Sequence, residues 1–168
     1  RGFDATIRAF KERQLVSIAL FDLGQQPDPL AVGRALSDLA DMCVRQVLRE
    51  LAAKQVAAHP RASGLRLSVC AVGKYGMRAM DYGSDLDLIF VHEGPVSSRE
   101  ALRAGKHLLE RLAERRFGVR LYEVDMRLRP SGRQGLLVSS YEGFCGYHSK
   151  PLPVWERLAL VHMRPITK

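Results

Sequence analysis

The chain has 168 residues, of which 46% are hydrophobic and 26% charged, a mix that supports one packed domain and excludes a disordered chain. The net charge is +8 and uneven: residues 1–60 carry 8 basic and 7 acidic groups, residues 61–168 carry 18 and 11. The second part is therefore where an anionic partner belongs, whether nucleotide, nucleic acid or acidic protein face. No run approaches the roughly 18 consecutive apolar residues of a membrane span, and the opening Arg1-Gly2-Phe3-Asp4 lacks the apolar centre of a secretory signal. Cys43, Cys70 and Cys145 lie far apart with no CxxC pairing, so they fit neither a zinc site nor a disulfide framework. Buried, reduced thiols are expected, and with them a cytoplasmic setting. The first residue is not Met and the end, Ile166-Thr167-Lys168, carries no terminal punctuation; a piece of a longer chain is expected.

Two helices come first. Phe3, Ile7, Phe10, Ile18 and Phe21 recur near helical spacing up to Gly24. Asp28-Pro29 opens a longer helix whose apolar face is Leu36, Leu39, Ala40, Cys43, Val47 and Leu51, with His59-Pro60 and Ser63-Gly64 as its stop. Residues 1–60 are expected to form a helical lead-in to a core spanning 61–168.

Leu65 to Val72 reads as a strand, alternating and then fully apolar. A loop punctuated by Gly73, Gly76 and Gly83 follows. Leu86, Leu88 and Phe90 alternate with Asp85, Asp87 and Ile89 in a second strand that His92 should end, capped or solvated. Ser97 with Glu100 has capping-box spacing, opening a helix lined by Leu102, Leu109, Leu112 and Ala113 and closed by Gly118. A third strand is expected from Val119 to Leu128, a short one at Leu136-Leu137-Val138, and helices near Tyr141–Tyr147 and Trp155–Met163, the last packing through Trp155, Leu158, Ala159 and Met163. His148 and His162 lack metal-ligand spacing. Strands among helices give an α+β or α/β class.

The chemistry concentrates in three segments. In a strand Asp85 and Asp87 point the same way, about 7 Å apart, and two carboxylates so placed repel. A divalent cation would relieve them, and oxygen ligands suit Mg²⁺ or Mn²⁺. A bare pair of this kind is more often an exposed strand edge; its context reverses that reading. The second segment, Tyr122 to Pro130, puts Tyr122, Val124, Met126 and Leu128 on one face and Glu123, Asp125, Arg127 and Arg129 on the other. If the two strands are neighbours, Asp125 completes a three-carboxylate site, with Arg127 and Arg129 as planar forks for phosphate. The third is Gly73-Lys74-Tyr75-Gly76, a turn straight after a strand that can cradle phosphate; its spacing is not the GxxxxGK[ST] of a P-loop ATPase.

Gly73-Lys74-Tyr75-Gly76-Met77-Arg78, then Tyr82-Gly83-Ser84-Asp85-Leu86-Asp87-Leu88-Ile89-Phe90, then Val124-Asp125-Met126-Arg127-Leu128-Arg129-Pro130-Ser131-Gly132, resemble the glutamate–ammonia-ligase adenylyltransferase family of polymerase-β-like nucleotidyltransferases. Trp155-Glu156-Arg157, Ala159-Leu160-Val161 and Arg164-Pro165 resemble the family's tail. Where that family reads Gly-Gly-Arg-Glu-Leu, this chain has Gly76-Met77-Arg78-Ala79-Met80.

The resemblance implies an α+β fold with a mixed sheet flanked by helices and a helical lead-in. It implies two Mg²⁺ ions held by Asp85, Asp87 and Asp125, with Asp125 helping to deprotonate the attacking hydroxyl. Gly73, Lys74, Gly83 and Ser84 would contact the nucleotide. The implied reaction moves AMP from ATP to a tyrosine of glutamine synthetase. Family members carry two such units, one adding AMP and one removing it by phosphorolysis to ADP, and the segment around Asp125 resembles the adding unit more. A PII-type signalling protein would act through regions outside this chain. The rivals are a non-catalytic nucleotide-sensing module, a uridylyltransferase of the same superfamily and a nucleic-acid binder; against the last, the aromatics sit at core-like positions and no nucleic-acid motif occurs.

Overall fold

The computed structural model describes residues 2–58, 65–116 and 119–167. Helices α1 (Phe3–Gln25) and α2 (Pro29–Ala58) come first, then β1 (Arg66–Ala71), the one-turn helix α3 (Gly73–Gly76) and β2 (Leu86–Glu93). Helix α4 (Ser98–Ala113), β3 (Arg115–Arg116), β4 (Val119–Arg120) and β5 (Val124–Asp125) follow, then β6 (Val138–Ser140), α5 (Tyr141–His148), α6 (Val154–Leu160) and β7 (Arg164–Pro165). This is the expected α+β class with a helical N-terminus. The α2 breakers His59-Pro60 and Ser63-Gly64, and Gly118, lie outside the described residues.

Strand β2 is the spine of a mixed five-stranded sheet. β1 runs antiparallel along one edge, from Arg66↔Glu93 to Ala71↔Leu88, and β7 adds to the outer side of β1. The other edge takes two short parallel strands in succession, β5 at Leu86–Asp87 and β6 at Phe90–His92. The expected unbroken strand from Val119 to Leu128 is not formed. Backbone pairing stops at Arg120, resumes for Val124–Asp125 alone, and gives way to a turn fixed by Arg129, whose guanidinium donates to the carbonyls of Met126 (2.8 Å), Arg133 (3.1 Å) and Gly135 (3.3 Å).

The main core joins Leu36, Leu39, Ala40, Cys43, Val44 and Val47 of α2 to Leu86, Leu88 and Phe90 of β2 and to Leu108 and Leu112 of α4. The α2 face is the one its periodicity gives. That of α1 differs: Ile7 is buried and Ile18 packs against the core, but Phe10 and Phe21 are exposed. The buried face of α4 is Ala101, Gly105, Leu108 and Leu112; of the predicted set Leu112 is buried, Leu109 and Ala113 are half-buried, and Leu102 faces outward. Its capping box forms, with the Ser97 hydroxyl accepting from the Glu100 N–H and the Glu100 carboxylate accepting from the Ser97 N–H at 2.9 Å.

A second cluster, Cys70, Val72, Ile89 and Val91, fills the opposite sheet face under Leu128, Phe144 and Leu160. It explains two departures from the alternation. Ile89 and Val91 are buried although they face away from the main core; on the other face His92, paired with Leu67 and Ser140, is a buried strand residue rather than a solvated end. Leu128 packs with this cluster, opposite to Tyr122 and Met126, because the chain has turned after Asp125. Trp155 and Leu158 do not form a packed helix face: they are 61% and 63% exposed. Cys43 and Cys70 are buried thiols, Cys43 raised to about 11 by burial, whereas Cys145 is exposed.

Candidate active site

The register of β2 against β5 sets the site. Leu86 lies beside Val124 and Asp87 beside Asp125, so the second acid of the Asp85-Leu86-Asp87 segment and the acid of the third segment are cross-strand neighbours. The Leu86 N–H donates to the Glu123 carbonyl at 2.9 Å, locking the offset. Leu86 anchors this edge in the core, which leaves Asp87 on the face also bearing Ile89.

Asp87 is the half-buried member. Its pKa is raised to about 6, by burial first and then by the negative charges of Asp85 and Asp125; Arg127 and Lys74 act in the opposite direction. All five charged groups therefore share one field. Asp125 behaves oppositely: hydrogen bonds from Arg127 hold its carboxyl below the usual range. The Arg127 Nε and Nη2 reach Asp125 Oδ2 at 2.6 and 2.5 Å, and the Arg127 backbone N–H reaches Oδ1 at 2.8 Å.

The glycine loop closes over Asp87. Gly73 has φ +56°, and a Cβ placed there would lie 2.4 Å from Asp87 Oδ2. Only glycine combines that backbone with that approach. The loop is a one-turn helix, with the Gly76 and Met77 N–H groups donating to the Val72 and Gly73 carbonyls. Gly76 is pressed equally hard from behind, its missing Cβ being 2.5 Å from the His162 carbonyl. Of the departures from the family pattern, Met77 is 53% exposed on the outer side of this turn, Ala79 is half-buried and Met80 is buried; the retained Arg78 takes φ +56° and pairs with Asp38 of α2.

One residue was missed by sequence reasoning. Asp81 accepts from Lys74 Nζ at 3.0 Å and from the Gly83 N–H at 3.0 Å, and its own N–H donates to Ser84 Oγ at 2.9 Å. These bonds, that from Lys74 foremost, hold its carboxyl below the usual range. It thus ties together Lys74, Gly83 and Ser84. The signal was present as Asp81-Tyr82-Gly83, an Asx-turn pattern. Beside this loop lies a cavity of about 190 Å³, lined among others by Lys11, Tyr82, Ser84 and Tyr122. Lys11 reaches in from α1, donates to the Leu121 carbonyl, and lies 3.7 Å from the centre of the Tyr122 ring.

The predicted residues thus fall into three groups, of which Gly83 and Ser84, in the loop that Asp81 closes, are one. Asp85, Asp87, Asp125, Arg127, Gly73 and Lys74 meet at the start of β2. Arg129 is spent on the carbonyls of its own turn. Hard oxygen donors and an excess of negative charge at Asp87 suit a divalent cation. As they stand, no three His, Cys, Asp or Glu side chains among the described residues ring a common point, and Arg127 occupies Asp125. The donor set fits by chemistry, with Arg127 as the group that must yield.

Acids paired across two parallel strands, beside a glycine turn and an exposed arginine, are consistent with a nucleotidyltransferase-like fold. Comparison with known proteins narrows the class. Residues 2–168 match the family described as glutamate-ammonia ligase adenylyltransferase, and the chain belongs to it. It is 33% identical over 178 residues to the bifunctional glutamine synthetase adenylyltransferase/adenylyl-removing enzyme of Hahella chejuensis, covering 95% of this chain and 18% of that relative. The chain thus spans less than a fifth of the length of the curated relative it matches. Among the described residues no helix is long and apolar enough to cross a membrane.

Proposed function

We propose that this chain carries a nucleotidyl-transfer centre that moves AMP from ATP to a tyrosine hydroxyl of glutamine synthetase, releasing pyrophosphate and a proton. The observation that supports it is the Asp87–Asp125 pairing directly under the Gly73–Gly76 turn. Helices α1 and α2 would be the lead-in and residues 61–168 the core of this unit.

Asp85, Asp87 and Asp125 would hold Mg²⁺, two ions by family analogy, with Mn²⁺ as a substitute. Bound there, a divalent cation would neutralise charge on the phosphates and favour an ionised attacking oxygen. The remaining work belongs to the side chains. The turn at Gly73 and Lys74, with Gly83 and Ser84 held by Asp81, would seat the triphosphate. Arg127, once it leaves Asp125, presents a planar fork to a phosphate oxygen. Asp125, freed by the same movement and beside the half-buried Asp87, would help to take the tyrosine proton. A phenol near pKa 10 needs such help at neutral pH.

The adding direction is favoured by the run Val124 to Gly132. The test pairs the protein with glutamine synthetase in two mixtures. One contains unmodified enzyme, labelled ATP and Mg²⁺; the other contains adenylylated enzyme and phosphate. Label transfer in the first supports the proposal. ADP release in the second alone assigns the chain to the removing reaction, and neither product defeats the catalytic reading.

A further inference from the structure

Behind the glycine turn, away from the acids, lies a buried ion cluster that the proposed chemistry does not use. Asp41 of α2 is 2% exposed. Arg164 of β7 grips it in a bidentate pair, Nη1 to Oδ2 and Nη2 to Oδ1, both 2.8 Å. The same Nη2 also donates to the Tyr75 carbonyl at 3.3 Å, and the guanidinium lies 5.2 Å from the centre of the Tyr75 ring. Tyr75 is the middle of the Gly73–Gly76 turn and is fully buried. Arg78, just past the turn, approaches Asp41 Oδ2 at 3.8 Å. One carboxylate from α2 and one guanidinium from β7 thus meet on the back of the turn. Gly76, pressed on the His162 carbonyl two residues before Arg164, leaves the turn no room to retreat.

A buried pair of this kind is a poor source of stability, because desolvation offsets the attraction. Its geometry serves another purpose. Two elements distant in sequence, α2 and β7, are fixed to one peptide of a loop that, on the proposed function, decides where phosphate can sit. We infer that Asp41 and Arg164 are positioning residues for the Gly73–Gly76 turn, a role that rests on the proposal that this turn seats a triphosphate. Arg45 supplies the control. It also reaches Asp41, at 3.5 Å, and donates to the Ile166 carbonyl at 2.8 Å, but it makes no contact with the turn.

The test uses Arg164→Lys, which keeps a cation against the buried carboxylate but loses the fork, and Asp41→Asn, which keeps the side-chain volume. Amide hydrogen exchange at Gly76 and Met77 and the affinity for inorganic tripolyphosphate with Mg²⁺ are measured in the whole protein. Both variants are expected to exchange faster at those two amides and to bind tripolyphosphate about tenfold more weakly. Arg45→Met is expected to lower the melting temperature with neither change. Unaltered exchange in Arg164→Lys and Asp41→Asn overturns the positioning role, as does an equal loss of binding in Arg45→Met. A wild-type protein that binds no tripolyphosphate overturns the triphosphate seat instead, and the exchange rates still show whether the pair pins the turn.

Discussion

The guanidinium of Arg127 closes on the carboxylate of Asp125, two residues earlier in the same chain, with contacts at 2.5 and 2.6 Å. Asp125 is only 12% exposed while Arg127 is 64% exposed, so the cation is the partner free to leave. The pair works as a stand-in for positive charge at a cluster of acids. Arg127→Ala is expected to bring the Asp125 carboxyl back up towards its ordinary range and to tighten Mn²⁺ binding without nucleotide. Carboxyl titration by NMR and relaxation by Mn²⁺ check the two effects. AMP transfer should fall by about 10²-fold, since a phosphate-facing donor is lost.

Asp87 sets function against stability. The fold raises its carboxyl to about 6 from an ordinary 3.8, so folding favours the protonated form. That contribution is complete below about pH 4 and is lost as pH rises through about 6. Asp87→Asn should therefore stabilise the protein at pH 7 by about 1 to 2 kcal/mol, allowing for water screening at a half-buried position. The gain should disappear at pH 4, and transfer activity should drop by at least about 10²-fold. Chemical denaturation at the two pH values, with the transfer assay alongside, decides the matter.

Gly73 is the position where a single methyl group does most harm. Gly73→Ala places a Cβ at φ +56° and 2.4 Å from Asp87 Oδ2. The backbone alone costs about 1–2 kcal/mol, and the carboxylate must move. Denaturation midpoints should fall, and the Asp87 titration should shift as its surroundings open.

The legible parts of this protein were those where local pattern and tertiary demand agree. The Leu86, Leu88, Phe90 alternation faces the main core as expected, and so do the α2 face and the Ser97–Glu100 capping box. The Asp87–Asp125 pairing could be anticipated because both acids lie on the outward phase of a strand with an apolar inward phase. What escaped was set by distant packing. Nothing local says that Ile89 and Val91 would be covered by Phe144 and Leu160, nor that strands on both sides, at Leu67 and Ser140, would keep His92 inside the sheet. The strand after Arg120 was overdrawn because alternation of Tyr122 to Leu128 persists in sequence while Arg129 bends the backbone through its own carbonyls. The role of Asp81 was overlooked because its three partners are brought together only by the loop it closes.

Asp81→Ala tests that role. Without the carboxylate, Lys74, Gly83 and Ser84 lose their common anchor. Steady-state kinetics should show a raised KM for ATP with kcat changed far less, since binding rather than chemistry is weakened. Little change in melting temperature is expected, because the group lies at the surface.

The strand that brings Asp125 to the site pairs through only Val124 and Asp125, and the turn after it is closed by local backbone bonds and one guanidinium. Such a short splice makes the third acid adjustable from outside the acidic trio. Sequence drift between Ser131 and Gly135 can lengthen or tilt the arm, while Asp87 stays anchored in the central strand with Asp85 just before it.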